Sequence, residues 1–441
     1  MKKAILTTAI TASLSFSSLP AYAENLLQVY TQAKAYDAQL KAYESNYLAT
    51  LENKPQALAA KKPQVNFSAG AALNQQFDIR DSNDSTSLNT NYSIGITKSV
   101  YNRHLDAQID KVDVAISQAQ TRLESQRQAL IMRVVAPYFD YLLAQENLQF
   151  AITEKNAIKR QLEQVRAYFD AGRSAITDVR EAEARYNFSL SREIAAKQSV
   201  TTAQENLRVL TGRQYQVLMG PQENMPLVIP APKSMEAWVD LAKRASLPLQ
   251  VARQAIEVAQ KEIEVQRSKE RNPVVNVYAR HNGSWTETDT PIDPINAGGT
   301  LGIELKIPLY QGGVVHSKIR QAQHHFRQAQ QEYEYQERQI EQQVRNAYQS
   351  IESAISQVQA QRQALLSAQT AAKATKVGFE VGTRTAVDVL TSLRDVFAAQ
   401  RDCARARYNY LLSTLQLRQA AGTLSEEDLQ TLTTTLTKTY K

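Results

Sequence analysis

The residues able to do bond-making chemistry are few and poorly spaced for it. Of the five histidines, His104, His281 and His316 stand apart from one another, while His324 and His325 are adjacent and would point about 100° apart on a helix, a poor pair for a metal. There is no HExxH pattern, no glycine loop of the kind that cradles phosphate and no nucleophile constellation. Cys403 is the only cysteine, which excludes an internal disulfide framework and any cysteine-based zinc site. Gly312-Gly313 reads as a bend between a strand and a helix rather than a ligand loop. No catalytic residue, cofactor or metal is therefore assigned. The 51 basic and 44 acidic residues are interleaved along the chain, so the net charge of +7 does not point to nucleic acid.

With no reaction centre to position, the elements themselves carry the argument. At roughly 100 to 200 residues per domain, 441 residues suggest two to four compact units. Composition opposes that: 14 glycines and 13 prolines are roughly half of the average combined usage of about 12%. A chain so poor in turn formers must run in long uninterrupted elements. Lys2 and Lys3, the weakly apolar stretch Ala4 to Phe16 and the small-residue site Ala21-Tyr22-Ala23 read as a secretory signal over 1–23, cleaved between Ala23 and Glu24. No later stretch offers about 18 consecutive apolar residues, so an exported chain that reaches a membrane must cross it other than by a helix.

Sliding the sequence by 210 residues aligns Pro63-Gln64-Val65-Asn66 with Pro273-Val274-Val275-Asn276, Tyr138 with Tyr348 and Gly212 with Gly422. Phe169-Asp170-Ala171-Gly172 and Asp178-Val179 fall on Phe379-Glu380-Val381-Gly382 and Asp388-Val389. One offset held by several landmarks marks a tandem duplication. In each half a period of two precedes a helical period. Tyr92, Ile94, Ile96 and Val100 alternate with Asn91, Ser93, Gly95, Thr97 and Ser99, and Leu301, Ile303, Leu305, Ile307 and Leu309 alternate with Gly302, Glu304, Lys306 and Pro308. Val65 to Leu73 and Val275 to Ala279 supply a second strand to each, giving two hairpins of about 10 to 13 residues per strand, long enough for tilted membrane strands. The same alternation fits a soluble four-stranded sheet. In a membrane, four strands cannot close, and open edges leave backbone groups unpaired in lipid. Two, three or four copies would supply 8, 12 or 16 strands.

Long helices are expected from about Arg103 to Ala171 and from Val314 to Val381, each roughly 100 Å at about 1.5 Å per residue, with Pro137 kinking the first. Gly172 and Gly382 end them, and shorter antiparallel partners follow over about Ala175 to Leu210 and Thr385 to Ala420. Helices of that length cannot be buried in one chain and read as coiled-coil staves. Trp238 starts a further helix, and Trp285 and Tyr278 read either as interfacial aromatics or as loop contacts. Cys403 is a small packing residue on a helix.

The chain resembles the TolC family of outer-membrane channel-tunnels in Glu24-Asn25-Leu26-Leu27-Gln28-Val29-Tyr30, Ala175-Ile176-Thr177-Asp178-Val179, Pro308-Leu309-Tyr310-Gln311-Gly312-Gly313, Ala406-Arg407-Tyr408-Asn409-Tyr410-Leu411-Leu412 and above all the stretch Val381 to Leu390. The resemblance implies an α+β membrane protein. Three copies would form one 12-stranded transmembrane β-barrel, continuous with a periplasmic barrel of coiled-coil helices. It divides the chain into the signal (1–23), a helical segment (24–62), β-hairpin 1 (63–101), helical hairpin 1 (102–212), an equatorial segment (213–237), a second helical segment (238–272), β-hairpin 2 (273–310), helical hairpin 2 (311–422) and a C-terminal equatorial segment (423–441) opened by the capping pattern Ser425 to Asp428.

The function it implies is the passive exit duct of tripartite efflux or type I secretion, in the outer membrane of a Gram-negative bacterium. The implied partners are outer-membrane lipid, a periplasmic membrane-fusion adaptor and an inner-membrane RND or ABC transporter.

By the same resemblance, Asp388 stands in an acidic ring at the constriction, and Thr391 replaces a second acid one turn on, which should weaken cation block. Arg384 matches a lock residue whose partners are Thr177 and Asp178. Phe379 replaces a tyrosine that would bond Asp178, and Gln161 faces Lys376 in place of an acid. Gly172, Arg173 and Ser174, with Gly382 and Thr383, are the tips where an adaptor would dock. Taken without the resemblance, Asp388 is an ordinary acid at a helix start and Arg384 a solvated tip residue. The rival readings are a secreted or surface trimeric coiled-coil scaffold or adhesin, and a passive porin.

Overall fold

The computed structural model describes residues 24–76, 85–222, 224–288 and 296–440. The signal segment, with Ala23 at its expected cleavage site, lies outside the described residues, as do both hairpin connections in large part. Three helices open the chain, α1 (Leu26–Tyr36), α2 (Ala38–Leu51) and α3 (Asn53–Ala59). The first repeat continues with β1 (Gln64–Gln76), β2 (Ser85–Asn102), α4 (Arg103–Asp170) and α5 (Ile176–Thr211). A short strand β3 (Leu218–Pro221) and helices α6 (Met235–Ala245) and α7 (Leu247–Arg267) link it to the second. That repeat comprises β4 (Val274–Thr288), β5 (Asn296–Lys306), α8 (Val314–Glu380) and α9 (Ala386–Ala420), and α10 (Glu426–Thr435) and β6 (Leu436–Tyr440) follow.

The four long strands form one antiparallel sheet in the order β1-β2-β4-β5. The two repeats meet at its centre, where Ile94 faces His281 and Ile96 faces Ala279. Register puts Val65, Phe67, Ile94, Ile96, Val277, Leu301 and Ile303 on one side and Asn66, Asn91, Asn282, Thr300 and Glu304 on the other. The apolar side is uncovered, with Leu301 80% exposed. Tyr278 lies within β4 rather than in a loop, on the polar side, its ring over Gly302, where an added Cβ would come within 2.7 Å of it. Trp285, opposite Thr90, is on the apolar side and partly exposed. The expected alternation to Leu309 outruns β5, which stops at Lys306. Pro308 has no N–H to give a ladder, and Ile307 and Leu309 are exposed beyond the strand.

Gly312 and Gly313 both take positive φ, +60° and +79°, where the chain turns into α8. α4 runs 68 residues without a break through Pro137, and α8 runs 67. Among the described residues no helix is long and apolar enough to cross a membrane. The main core lies midway along the long helices. Tyr138 donates to the Met219 carbonyl at 2.6 Å, Tyr141 to that of Tyr215 at 3.0 Å, and buried Trp238, in the first turn of α6, to that of Pro232 at 2.7 Å. The two segments flanking this core, 213–237 and 423–441, meet through the antiparallel pair β3 and β6, and the Glu24 backbone N–H donates to Val217 O at 3.1 Å. Asp428 caps α10 by accepting from the Ser425 N–H at 2.9 Å.

Candidate functional site: the helical tips and the ion pairs above them

Each long helix ends the same way. α4 stops at Asp170, Gly172 takes φ +71°, and the Arg173 N–H donates back to Tyr168 O at 2.8 Å. α8 stops at Glu380, Gly382 takes φ +85°, and the Thr383 N–H donates back to Gly378 O at 2.8 Å. Left-handed backbone costs a residue with a Cβ about 1–2 kcal/mol, so glycine is the natural occupant.

The next helices start on matched acids. Asp178 accepts from the Ser174 hydroxyl at 2.7 Å and the Ala175 N–H at 3.3 Å. Asp388 accepts from the Thr385 N–H at 3.0 Å, and the Asp388 N–H donates to the Thr385 hydroxyl at 3.2 Å. The backbone bond from Thr385, then its side-chain bond and the nearby charge of Arg384, hold the Asp388 carboxyl below the usual carboxylate range. Within the chain, Asp388 thus does the work of a helix-start acid. Thr391, one turn on, is half-buried.

Arg384 stays with its own hairpin. Its N–H donates to Gly378 O at 3.2 Å and its stem lies over Gly378, where an added Cβ would sit 2.8 Å from Arg384 Cγ. No ion pair joins it to Asp178 among the described residues of this one chain, and Thr177 is exposed on α5. What crosses between the tips is aromatic. The Phe379 ring lies 5.7 Å from that of Tyr168, over which the Arg173 guanidinium of the first hairpin's own turn sits at 4.8 Å. Phe379 also packs on Val165, Val179 and Ala386. Just above, Ile158, Leu162, Ala182 and Leu390 make a second small cluster. Gln161 is buried beside it with its amide nitrogen unpartnered, and Lys376 is exposed.

Sequence reasoning missed the charges higher up. Glu154 on α4 is 1% exposed and receives Arg192 from α5 at 2.7 Å and Arg401 from α9 at 3.0 Å. Glu146, also buried, receives Arg407 at 2.9 and 2.7 Å and the Tyr408 hydroxyl at 2.9 Å. Lys155 meets Glu193 at 2.7 Å between α4 and α5, and this bond leads those holding the Glu193 carboxyl below its usual range. One signal was available: under the 210-residue shift Glu146 and Glu154 fall on Ser356 and Ala364, so the two repeats differ there in charge.

The arrangement holds the two helical hairpins together through buried ion pairs and small apolar clusters. The family described as outer membrane efflux protein is matched over residues 27–213 and 238–423, one span in each repeat. The chain is 35% identical to the outer membrane protein TolC of Vibrio cholerae serotype O1, over 97% of each chain. It is 27% identical to the proteases secretion protein PrtF of Dickeya chrysanthemi, over 98% of this chain and 94% of that one. Its fold matches solved CusC, a former of transmembrane channels, with a TM-score of 0.78 at 16% identity, over 90% of this chain and 92% of that one.

Proposed function

The chain belongs to the outer membrane efflux protein family, and from that premise we propose that it is a passive outer-membrane exit duct serving tripartite efflux and type I secretion. One observation supports this most directly. The sheet exposes an apolar face toward one side and an asparagine-rich face toward the other, with β1 and β5 as open edges. An open edge in lipid costs several kcal/mol per unpaired backbone group. Joining β5 of one copy to β1 of the next removes every edge, and three copies make a 12-stranded barrel with the apolar face in lipid and the asparagines on water. On this reading 63–101 and 273–310 are the barrel hairpins, 102–212 and 311–422 the helical tunnel, and 213–237 and 423–441 its equatorial belt.

The periplasmic ends of the helices form the gate. Between neighbouring copies Arg384 reaches Thr177 and Asp178, Asp388 carboxylates gather at the constriction with Thr391 behind them, and Phe379 and Gln161 line the seam. A periplasmic adaptor docks on Gly172 to Ser174 and on Gly382 and Thr383, and an RND or ABC transporter of the inner membrane supplies the cargo. Deletion in the native host tests the function. Hypersensitivity to detergents and dyes, or loss of protease secretion, is expected. Slowed nutrient uptake with neither defect would make the protein a passive porin instead.

A further inference from the structure

The ion pairs of the tunnel helices divide into two unequal sets at the height of Glu154. At about 1.5 Å per residue, Glu154 lies about 24 Å before the end of α4, Arg192 about 24 Å past the start of α5 and Arg401 about 22 Å past the start of α9. The three charges therefore meet at one level. Ties between α4 and α5 are redundant there: Arg192 to Glu154 and Lys155 to Glu193, both 2.7 Å, with Arg166 to Glu183 at 2.7 Å nearer the tip. Ties between the two hairpins are sparse. Among the described residues, Arg401 to Glu154 is the ion pair between them nearest the tips, and Arg407 to Glu146 stands farther up.

Toward the tips the hairpins share two small apolar clusters and the contact of Tyr168 with Phe379. α8 has no buried side chain beyond Val358. Apolar contacts of this kind can slide and re-form, because the hydrophobic effect is non-directional. A carboxylate that is 1% exposed cannot lose a cation so easily, since a buried charge demands its partners. The duplication offers no substitute, because Glu154 and Arg192 fall on Ala364 and Asp402 in the second repeat.

We propose that the bond from Arg401 to Glu154 is a clasp of the closed gate, which parts when opening swings the second hairpin away from the first while Arg407 and Glu146 keep the helices joined farther up. The proposal rests on the channel reading. Arg401 touches no cargo and acts through Glu154 as a positioning residue.

Single-channel recording of the full protein in planar bilayers tests it, with assembly of each variant checked by native mass. Arg401→Gln cuts the tie between hairpins and should shift the closed-to-open ratio toward open by about tenfold, the size expected for one hydrogen bond to a buried charge. Arg401→Lys should restore the wild-type ratio. Arg192→Gln removes one of the redundant ties within the first hairpin and should shift the ratio no more than about threefold. If Arg401→Gln does not assemble, Glu154→Gln combined with Arg401→Gln removes charge and bond together and carries the same prediction. A wild-type ratio in Arg401→Gln and in the double variant, or an equal shift from Arg192→Gln, overturns the clasp and leaves the channel standing. Absence of current in every variant overturns the channel reading and the clasp with it.

Discussion

The two helical hairpins descend from one duplicated sequence and keep nearly the same dimensions, 68 and 36 residues against 67 and 35, yet they are held differently. α4 buries 17 side chains, the last at Val165 near its tip, whereas α8 buries 10 and none after Val358. α4 is central, packed on α5, α7 and α9, while α8 is flanked by α7 and α9 and leaves Leu366, Val377 and Val381 exposed. Duplication preserved what the backbone needs: helix length, the glycine turn and the acid at the third helical position. It left side chains to diverge with their neighbours. The hairpin at the centre acquired buried carboxylates with arginine partners, and the one at the edge kept Ser356 and Ala364.

The sharpest way to break this contrast is to truncate matched positions. Glu146→Ala leaves buried Arg407 without its carboxylate and should lower stability by about 3–5 kcal/mol, whereas Ser356→Ala, on an exposed face, should stay within about 0.5 kcal/mol. Denaturant unfolding of the two variants measures both, and equal losses would erase the asymmetry. The turns should instead behave alike. Gly172→Ala and Gly382→Ala each force an alanine to positive φ with no steric neighbour within 4 Å, so each should cost about 1–2 kcal/mol by the same measurement.

The smallest expected effect concerns Asp388. Its carboxyl is held below the usual range by bonds from Thr385, so its capping contribution is full above the ordinary carboxylate pKa and is lost as pH falls through the depressed value. Hydrogen exchange at the start of α9 should rise only at that acid end in the native protein and at all pH values in Asp388→Ala. Block by multivalent cations from the periplasmic side should weaken in the same variant, and unchanged block would remove Asp388 from the constriction.

Much of this was legible because the duplicated parts obey local rules. Helix ends follow from Gly172 and Gly382, the cap on α10 from Ser425 and Asp428, and the strands from period-two alternation. The end of β5 was missed because apolar alternation continues past Lys306 while Pro308 removes the donor a ladder needs. Tyr278 was left between two readings because its place depends on Gly302 across the strand pair, a relation that only register reveals. Glu146 and Glu154 were invisible as a group because their partners stand on α5 and α9, 38 to 262 residues away. Burial of a charge by distant helices leaves no periodic trace, beyond its failure to recur 210 residues on.

On the channel reading, copies of this chain enclose a conduit whose periplasmic end is held shut by weak exposed bonds. Three exposed Arg384 to Asp178 pairs would together contribute about 1–3 kcal/mol to the closed state. Planar-bilayer recording of the purified protein and of Arg384→Ala tests this. The account predicts a stable low conductance that rises in Arg384→Ala, and insertion with no current through either protein would contradict it.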